Sequence, residues 1–409
     1  MPPLSERPTH CAVLVLLCLV SLAALEVLDV PGEHPAKLAR SQGYLGDHHW
    51  ATTEDGYLLS LFRIRNETAL RAMGREKSPV LVMPGLACNA AIWVLLGPGK
   101  ALAYLLADRG YDVWLGNYRG GMYARRHANL TDQDAAFWDF SFDDIGRLDV
   151  PALLQEVVAL SGHPTVAYIG HSMGASVLTV MASSRPRYLE RVSRAYLLAP
   201  AAYMGHALQP AVYGSAGAVS TLHGGWGLFA SGEIPLNSWW VRAAIHGVCS
   251  SAMATPLCVL LGGVYAGHDS EQISQADVPL FLNYIPDSMS MKNVRHFTQH
   301  FGRERDFRRF DYGAEDNLRR YASEDAPEYN VSRSTFPASV YYGENDFLVS
   351  PRDVLAFADT LPNVIRPPYR IPYDKFSHID FFLARDAKAF LYDQMIEDLD
   401  EDERQFVNN

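Results

Sequence analysis

The chain has 409 residues, 48% of them hydrophobic, with 35 lysines and arginines against 46 aspartates and glutamates. The resulting charge of −11 excludes the clustered basic face that nucleic acid requires, and equally a polybasic attachment to anionic lipid. A chain this long can bury one large core that carries an insertion, or two domains.

At the N-terminus, Arg7 and His10 precede an uncharged apolar run over residues 11–25 that ends in small residues at Ala23 and Ala24. The run is short for a membrane span and has the length of a signal-peptide core. Residues 1–24 are therefore expected to be a cleaved signal; the alternative is an uncleaved anchor. No later stretch is both long and free of charge, so the mature protein is expected to lack a stable transmembrane anchor. Behind such a leader the triplets at Asn66, Asn129 and Asn330 become glycosylation candidates on surface loops. Cys11 and Cys18 would leave with the leader. Of the remaining three, Cys249 and Cys258 are the local candidates for a disulfide in an oxidising compartment, and Cys88 reads as a buried small hydrophobe. No cysteine and histidine cluster has zinc spacing and no His-Glu-x-x-His occurs, so neither a metal site nor a cofactor is expected.

A turn at Thr53-Glu54-Asp55-Gly56 leads into an alternating segment over 57–65, the strand of an early hairpin. Short apolar runs then alternate with helical stretches. Strands are expected over 79–83, 111–115, 165–169 and 195–198. Helices are expected near 100–109, over 144–160, where Gly162-His163-Pro164 supplies a stop, and over 173–184. This rhythm is that of a parallel sheet covered by helices on both faces. It breaks over 201–333, where glycines at 214, 217, 224, 225 and 227 sit beside Trp226, Phe229, Trp239 and Trp240. That stretch reads as an inserted, mainly helical cap whose aromatics mostly pack it onto the sheet. The rhythm resumes with a strand over 338–342, a helix over 352–360, a short strand near 369–371 and a last helix near 385–397. The acidic run over 397–403 reads as a solvated tail.

Gly170-His171-Ser172-Met173-Gly174 fits Gly-x-Ser-x-Gly, and its context raises its weight. A buried strand runs into it and a helix leaves it, as a nucleophile elbow demands. Glycines at both ends allow the sharp turn that pushes the serine hydroxyl out of the sheet edge. A serine hydroxyl becomes a nucleophile only when a base takes its proton, and that base is held in turn by an acid. In folds built on such an elbow the order is serine, acid, histidine. Asp346, just past the strand over 338–342, and His378, in the loop before the last helix, fill that order. Asp353, on the helix that follows, is the alternative acid. His171 is expected to face away from the chemistry, and His268, His296 and His300 are expected to pack or lie on the surface of the cap. For the oxyanion, the backbone N–H of Met173 is one expected donor. The N–H of Leu86, in Pro84-Gly85-Leu86 after the strand over 79–83, is the other.

Several longer motifs accompany the elbow in one order: Thr53-Glu54-Asp55-Gly56-Tyr57, Gly116-Asn117-Tyr118-Arg119-Gly120, Phe137-Trp138-Asp139-Phe140-Ser141-Phe142-Asp143, Lys292-Asn293-Val294-Arg295-His296-Phe297 and Phe310-Asp311-Tyr312-Gly313. Through them the chain, from about Trp50 to its last helix, resembles the acid lipases, the family of gastric, lingual and lysosomal enzymes. The resemblance implies an α/β-hydrolase fold with its core over 25–200 and 334–409 and a cap over 201–333. It implies a triad of Ser172, Asp346 and His378, oxyanion donors at Leu86 and Met173, and a cap disulfide at Cys249 and Cys258. It further implies hydrolysis of neutral lipid esters, triacylglycerols or sterol esters, at a lipid–water interface by a secreted or lysosomal protein. The alternatives are an esterase or acyltransferase acting on soluble esters, and a non-catalytic lipid-binding protein on a lipase scaffold. Two positions depart from the family: Met173 stands where it usually has glutamine, and Pro84 where its oxyanion loop usually begins with histidine.

Overall fold

The computed structural model describes residues 33–74, 77–207, 231–249, 254–267, 269 and 271–408. The expected leader, His268, and the glycines and aromatics between 214 and 229 lie outside them. Among the described residues the chain folds around a nine-stranded sheet. Its strands are β1 (Leu45–Thr52), β2 (Tyr57–Arg65), β3 (Lys77–Met83), β4 (Tyr111–Leu115), β5 (Arg126–His127), β6 (Val166–His171), β7 (Val192–Leu198), β10 (Ala338–Tyr342) and β11 (Tyr369–Arg370). A separate two-stranded antiparallel ribbon is made by β8 (Glu233–Ile234) and β9 (Met289–Ser290). The sheet order is β1-β2-β4-β3-β6-β7-β10-β11, with β5 beside β2. The pairs from β4 onward are parallel, while β1 and β2 form an antiparallel hairpin at the leading edge.

The period-two alternation of strand side chains divides the apolar residues between two cores. Leu81 and Met83 of β3, Tyr168 of β6 and Leu197 of β7 face one core. Val80 and Val82, Ile169, Tyr196 and Leu198 face the other. Helix α1 (Leu102–Asp108) covers the second face, and α2 (Val150–Ser161) and α3 (Met173–Ser184) cover the first. Gly162 ends α2 in the left-handed conformation, with φ +73°, which a glycine adopts without strain.

Between β7 and β10 the chain leaves the sheet. The described part of this excursion holds the β8–β9 ribbon and helices α4 (Trp239–Cys249), α5 (Thr255–Ala266) and α6 (Met291–His300). A disulfide joins Cys249, at the end of α4, to Cys258 in α5. The expectation that the aromatics here pack inward fails for two of them: Trp239 and Trp240 are 62% and 55% exposed.

After β10, helix α7 (Pro351–Ala358) leads to β11, and the chain closes with α8 (Asp393–Asn408). The acidic run is not a solvated tail. Met395, Ile396 and Leu399 of α8 are buried against the sheet. Its carboxylates meet cations and donors near the N-terminal ends of the strands. Asp400 pairs with Lys77 at 2.6 Å and Arg109 at 2.7 Å, and Asp402 with Arg366 at 2.5 Å. Glu403 accepts from Ser78 N–H and Oγ–H and from Arg194.

Candidate active site

In the sheet order the chain leaves β3 toward β4 on one side, while β6 lies on the other. The carboxyl ends of β3 and β6 therefore flank a topological switch point, where open parallel sheets form their functional crevice. The loop after β3 is Pro84-Gly85-Leu86 and the residue after β6 is Ser172. Both come to that crevice for reasons of topology alone.

Ser172 has φ +57° and ψ −121°, a conformation costly for any residue with a side chain. Its N–H donates to Leu198 C=O at 2.8 Å, which fixes the turn to the next strand. The flanking glycines are required by contact. A Cβ at Gly170 would lie 2.5 Å from Gly174 C=O, and one at Gly174 would lie 2.6 Å from Pro84 C=O. Gly85 passes directly over the serine: a Cβ there would meet Ser172 Cβ at 3.0 Å and Ser172 Oγ at 3.5 Å.

Asp346, in the loop after β10, accepts from His378 Nδ1–H at 2.7 Å through Oδ2. Its Oδ1 accepts from the N–H groups of Leu348 at 3.0 Å and Val349 at 2.8 Å. The carboxylate is thereby fixed in the one orientation that presents Oδ2 to the imidazole. The His378 N–H donates to Ala266 C=O at 3.0 Å, so the end of α5 braces this loop. Among the described residues Ser172 Oγ has no hydrogen-bond partner; such contacts commonly tighten only when substrate is bound. Ser172, Asp346 and His378 are all buried to within a few per cent, at 8%, 2% and 5% exposure. Asp353, the alternative acid, is engaged elsewhere: it accepts from both the backbone N–H and the Nδ1–H of His206 at 2.7 Å.

The amides of Leu86 and Met173 have no acceptor among the described residues, which leaves both free to bind an oxyanion. The Met173 side chain is buried, and its Sδ accepts from Asn293 Nδ2–H at 3.4 Å. His171 also touches the site indirectly, a link the sequence did not suggest. Its Nε2 donates to the carbonyl oxygen of His378 at 3.1 Å, so it is a structural tie between the elbow and the histidine loop. Burial, helped by the neighbouring His378, holds its pKa well below the usual value, and the ring stays neutral. In the excursion, His296 stacks on Phe142 at 3.7 Å and His300 contacts Phe307. Cys88 is a free thiol pushed up to about 12 by burial, and no thiolate chemistry is available there at neutral pH.

Residues of the longer motifs meet one another across the fold. Arg119 donates through Nε to Asp149 at 2.7 Å and through Nη1 to Asp55 at 2.7 Å, and its guanidinium lies 4.0 Å over the Tyr57 ring. Tyr57 O–H donates in turn to Phe137 C=O. Asn117 donates to Ser60 C=O and accepts from Ala90 N–H, both at 3.0 Å. Buried charge is tolerated here because each charged group has partners on several sides. Among the described residues no group of acidic, cysteine or histidine side chains has the arrangement of a metal site.

Residues 78–384 match the family model described as alpha/beta hydrolase fold, and residues 35–97 match a partial alpha/beta-hydrolase lipase region. The chain belongs to the α/β-hydrolase lipases. Lipase 1 of Drosophila melanogaster is 35% identical to this hydrolase over 88% of the chain and 78% of its own length. Human gastric triacylglycerol lipase is 30% identical over 88% and 89%. A soluble variant of the Saccharomyces cerevisiae monoglyceride lipase superposes on the hydrolase with a TM-score of 0.51, over 91% of this chain and 99% of that one, at 15% identity. That likeness speaks to fold alone.

Proposed function

We propose that the protein hydrolyses neutral lipid esters, triacylglycerols or sterol esters, through an acyl-serine intermediate on Ser172. The observation that carries this reading is the 2.7 Å His378–Asp346 bond beside a serine on a strained elbow at the sheet's switch point. His378 Nε2 takes the Ser172 hydroxyl proton as Oγ attacks the ester carbonyl. The tetrahedral oxyanion is held by the N–H groups of Leu86 and Met173, each such donor contributing roughly 3 kcal/mol. His378 then returns the proton to the departing alcohol, and a water molecule repeats the sequence to release the fatty acid. Asp346 orients the imidazole and stabilises its charged form. The oxyanion donors are backbone groups, so Met173 in place of glutamine leaves this chemistry available.

Residues 201–333 act as a cap that covers the acyl site and meets the lipid surface, on a core formed by 25–200 and 334–409. The lipase relatives and the exposed Trp239 and Trp240 support that assignment. The disulfide of the cap and the exposed sequons at Asn129 and Asn330 support passage through the secretory pathway, with residues 1–24 as the signal, to a secreted or lysosomal destination. Asn66, which caps the following helix turn and donates to Asp108, is the third glycosylation candidate. No helix among the described residues is long and apolar enough to cross a membrane.

The test is fatty-acid release from emulsified triolein and cholesteryl oleate between pH 4 and 8, with a soluble short-chain ester alongside. The purified protein is expected to release acid from an emulsion and to be labelled by a fluorophosphonate, and Ser172→Ala is expected to lose both. Turnover of the soluble ester alone would move the assignment to a carboxylesterase. Activity that survives Ser172→Ala would remove the serine mechanism.

A further inference from the structure

The oxyanion loop is held in an unfavourable shape. Its turn is closed by Cys88 N–H donating to Gly85 C=O at 3.3 Å, and Ala87, the third residue of that turn, has φ +57°. This is the position and sign of φ that such turns ordinarily give to glycine. A side chain there strains the backbone and persists only where neighbours over-determine it. The neighbour is Asp287, which comes from the stretch between β7 and β10, some 200 residues further along the chain.

Asp287 is 1% exposed and grips the loop twice. Its N–H donates to Ala87 C=O at 2.7 Å. Its Oδ2 accepts from Asn89 Nδ2–H at 3.0 Å, and Asn89 also donates to Tyr284 C=O at 2.8 Å. The carboxylate is itself fixed from three more sides. Met122 N–H donates to both oxygens at about 3 Å, Asn237 Nδ2–H to Oδ1 at 2.7 Å, and Ser288 N–H to Oδ1 at 2.8 Å. A Cβ at Gly121 would lie 3.0 Å from Oδ2, so the Gly120-Gly121-Met122 loop is shaped to approach this carboxylate. A buried anion needs such a set of donors to offset its lost hydration. One side chain thus joins the β8–β9 ribbon, the loop after β4 and the loop after β3.

We propose that Asp287 is a positioning residue for the oxyanion hole, which fixes the Leu86 N–H by clamping the Ala87 turn from the inserted stretch. The inference rests on the ester-hydrolase reading above and adds to it the residue that couples the cap to transition-state stabilisation. If the clamp is released, Ala87 relaxes toward negative φ and the amides of the turn change direction. A misplacement of about 1 Å can cost on the order of a hundredfold in rate.

The experiment compares 4-nitrophenyl butyrate with its thiono analogue, in which sulfur replaces the carbonyl oxygen. A thioanion is larger and a weaker hydrogen-bond acceptor, so its transition state gains less from the oxyanion hole. Asp287→Asn, which turns an amide N–H toward donors, is expected to lower kcat for the oxoester about 10- to 100-fold with KM changed little. The thionoester is expected to lose less than about threefold, so the ratio of the two rates collapses. Asn89 Oδ1 also accepts from Ala91 N–H at 3.1 Å; Asn89→Ser, which keeps an acceptor for that N–H but cannot reach Asp287, should move the ratio the same way by a smaller factor, and decides the matter if the first variant does not fold. Ala87→Gly added to Asp287→Asn should recover oxoester turnover several-fold, because glycine holds the positive φ without a clamp. Equal losses on both esters, or none, in an active protein would overturn the assignment. A wild-type protein that does not turn over the oxoester through Ser172 would instead overturn the reading on which it rests.

Discussion

Both oxygens of Asp346 are committed, and the division between them fixes which ring nitrogen of His378 faces the acid. Oδ1 accepts two backbone N–H groups, from Leu348 and Val349, and Oδ2 faces the imidazole. An amide introduced by Asp346→Asn would keep its carbonyl oxygen on the two backbone donors, since reversal would set N–H against N–H. Its NH₂ would then point at His378 Nδ1, which would have to accept. The neutral imidazole would carry its proton on Nε2, the nitrogen that takes the proton of Ser172 in the proposed mechanism. Asp346→Asn is therefore expected to lower kcat by about 10⁴-fold, the loss seen when a triad imidazole is held in the wrong tautomer. Its unfolding midpoint should stay close to wild type because the two backbone bonds survive. Steady-state kinetics beside a denaturant melt check both halves. A large loss of stability with a small loss of kcat would assign Asp346 to structure instead.

At the scale of elements, α8 is where the sequence misleads most. Seven residues with six carboxylates over 397–403 read locally as a repelling, solvated run, and the cations that pair with them lie far off in sequence. The fold supplies them from Lys77, Arg109, Arg194 and Arg366, up to about 320 residues away. The Arg194 and Glu403 side chains are 4% and 6% exposed. Removal of Glu403 takes a buried charge partner from Arg194 and an acceptor from Ser78, and breaking a buried pair costs up to about 3–5 kcal/mol. Glu403→Ala is expected to lower the unfolding free energy by an amount of that order, read by urea titration. Its kcat/KM at 25 °C should be unchanged, since Ser78 lies at the opposite end of β3 from the Pro84 loop, roughly 20 Å away at about 3.3 Å per residue. A drop in kcat/KM in the folded variant would contradict this separation.

The same distinction between local and distant signals explains what was legible. The strands β4 and β10 and the helix α3 fall at their expected limits because a buried apolar run bounded by glycine or proline is a local signal. The Asp346–His378 contact could be expected because chain order in this fold follows from topology. The two-residue strands β5, β8, β9 and β11 have no period to detect, although a short strand near 369–371 was expected from its surroundings. Asp287 was not legible, because a lone aspartate after a proline reads as a turn until its four donors, drawn from four separate segments, are assembled around it.

Over the whole molecule, burial of titratable groups makes stability depend on pH in two opposite senses. His171 and His296 are held well below the ordinary histidine value by burial. The unfolded chain binds their protons more readily, so their contribution is lost as pH falls below about 6.5. Asp149 and Asp380 behave oppositely. Burial raises them from 3.8 to about 6 and about 7, against the opposing influence of Arg119 on the first and of the Ser377 N–H on the second. The folded state binds their protons more tightly than the unfolded state, so stability is full below about 3.8 and declines as pH rises through the folded value. Asp380 isolates this second sense, because it is fully buried and asparagine can still accept from Ser377 N–H through its carbonyl oxygen. Asp380→Asn should match wild type near pH 3, where the acid is neutral in both states. The variant should gain on wild type as pH rises from about 3.8 to about 7 and hold its advantage above, by a few kcal/mol at about 1.4 kcal/mol per pKa unit. Urea unfolding of both proteins at pH 3, 5.5 and 8 reads the difference. A difference that does not change with pH would mean that folding leaves Asp380 unshifted, and the buried carboxylate beside the His378 loop would then carry its charge in the folded protein at neutral pH.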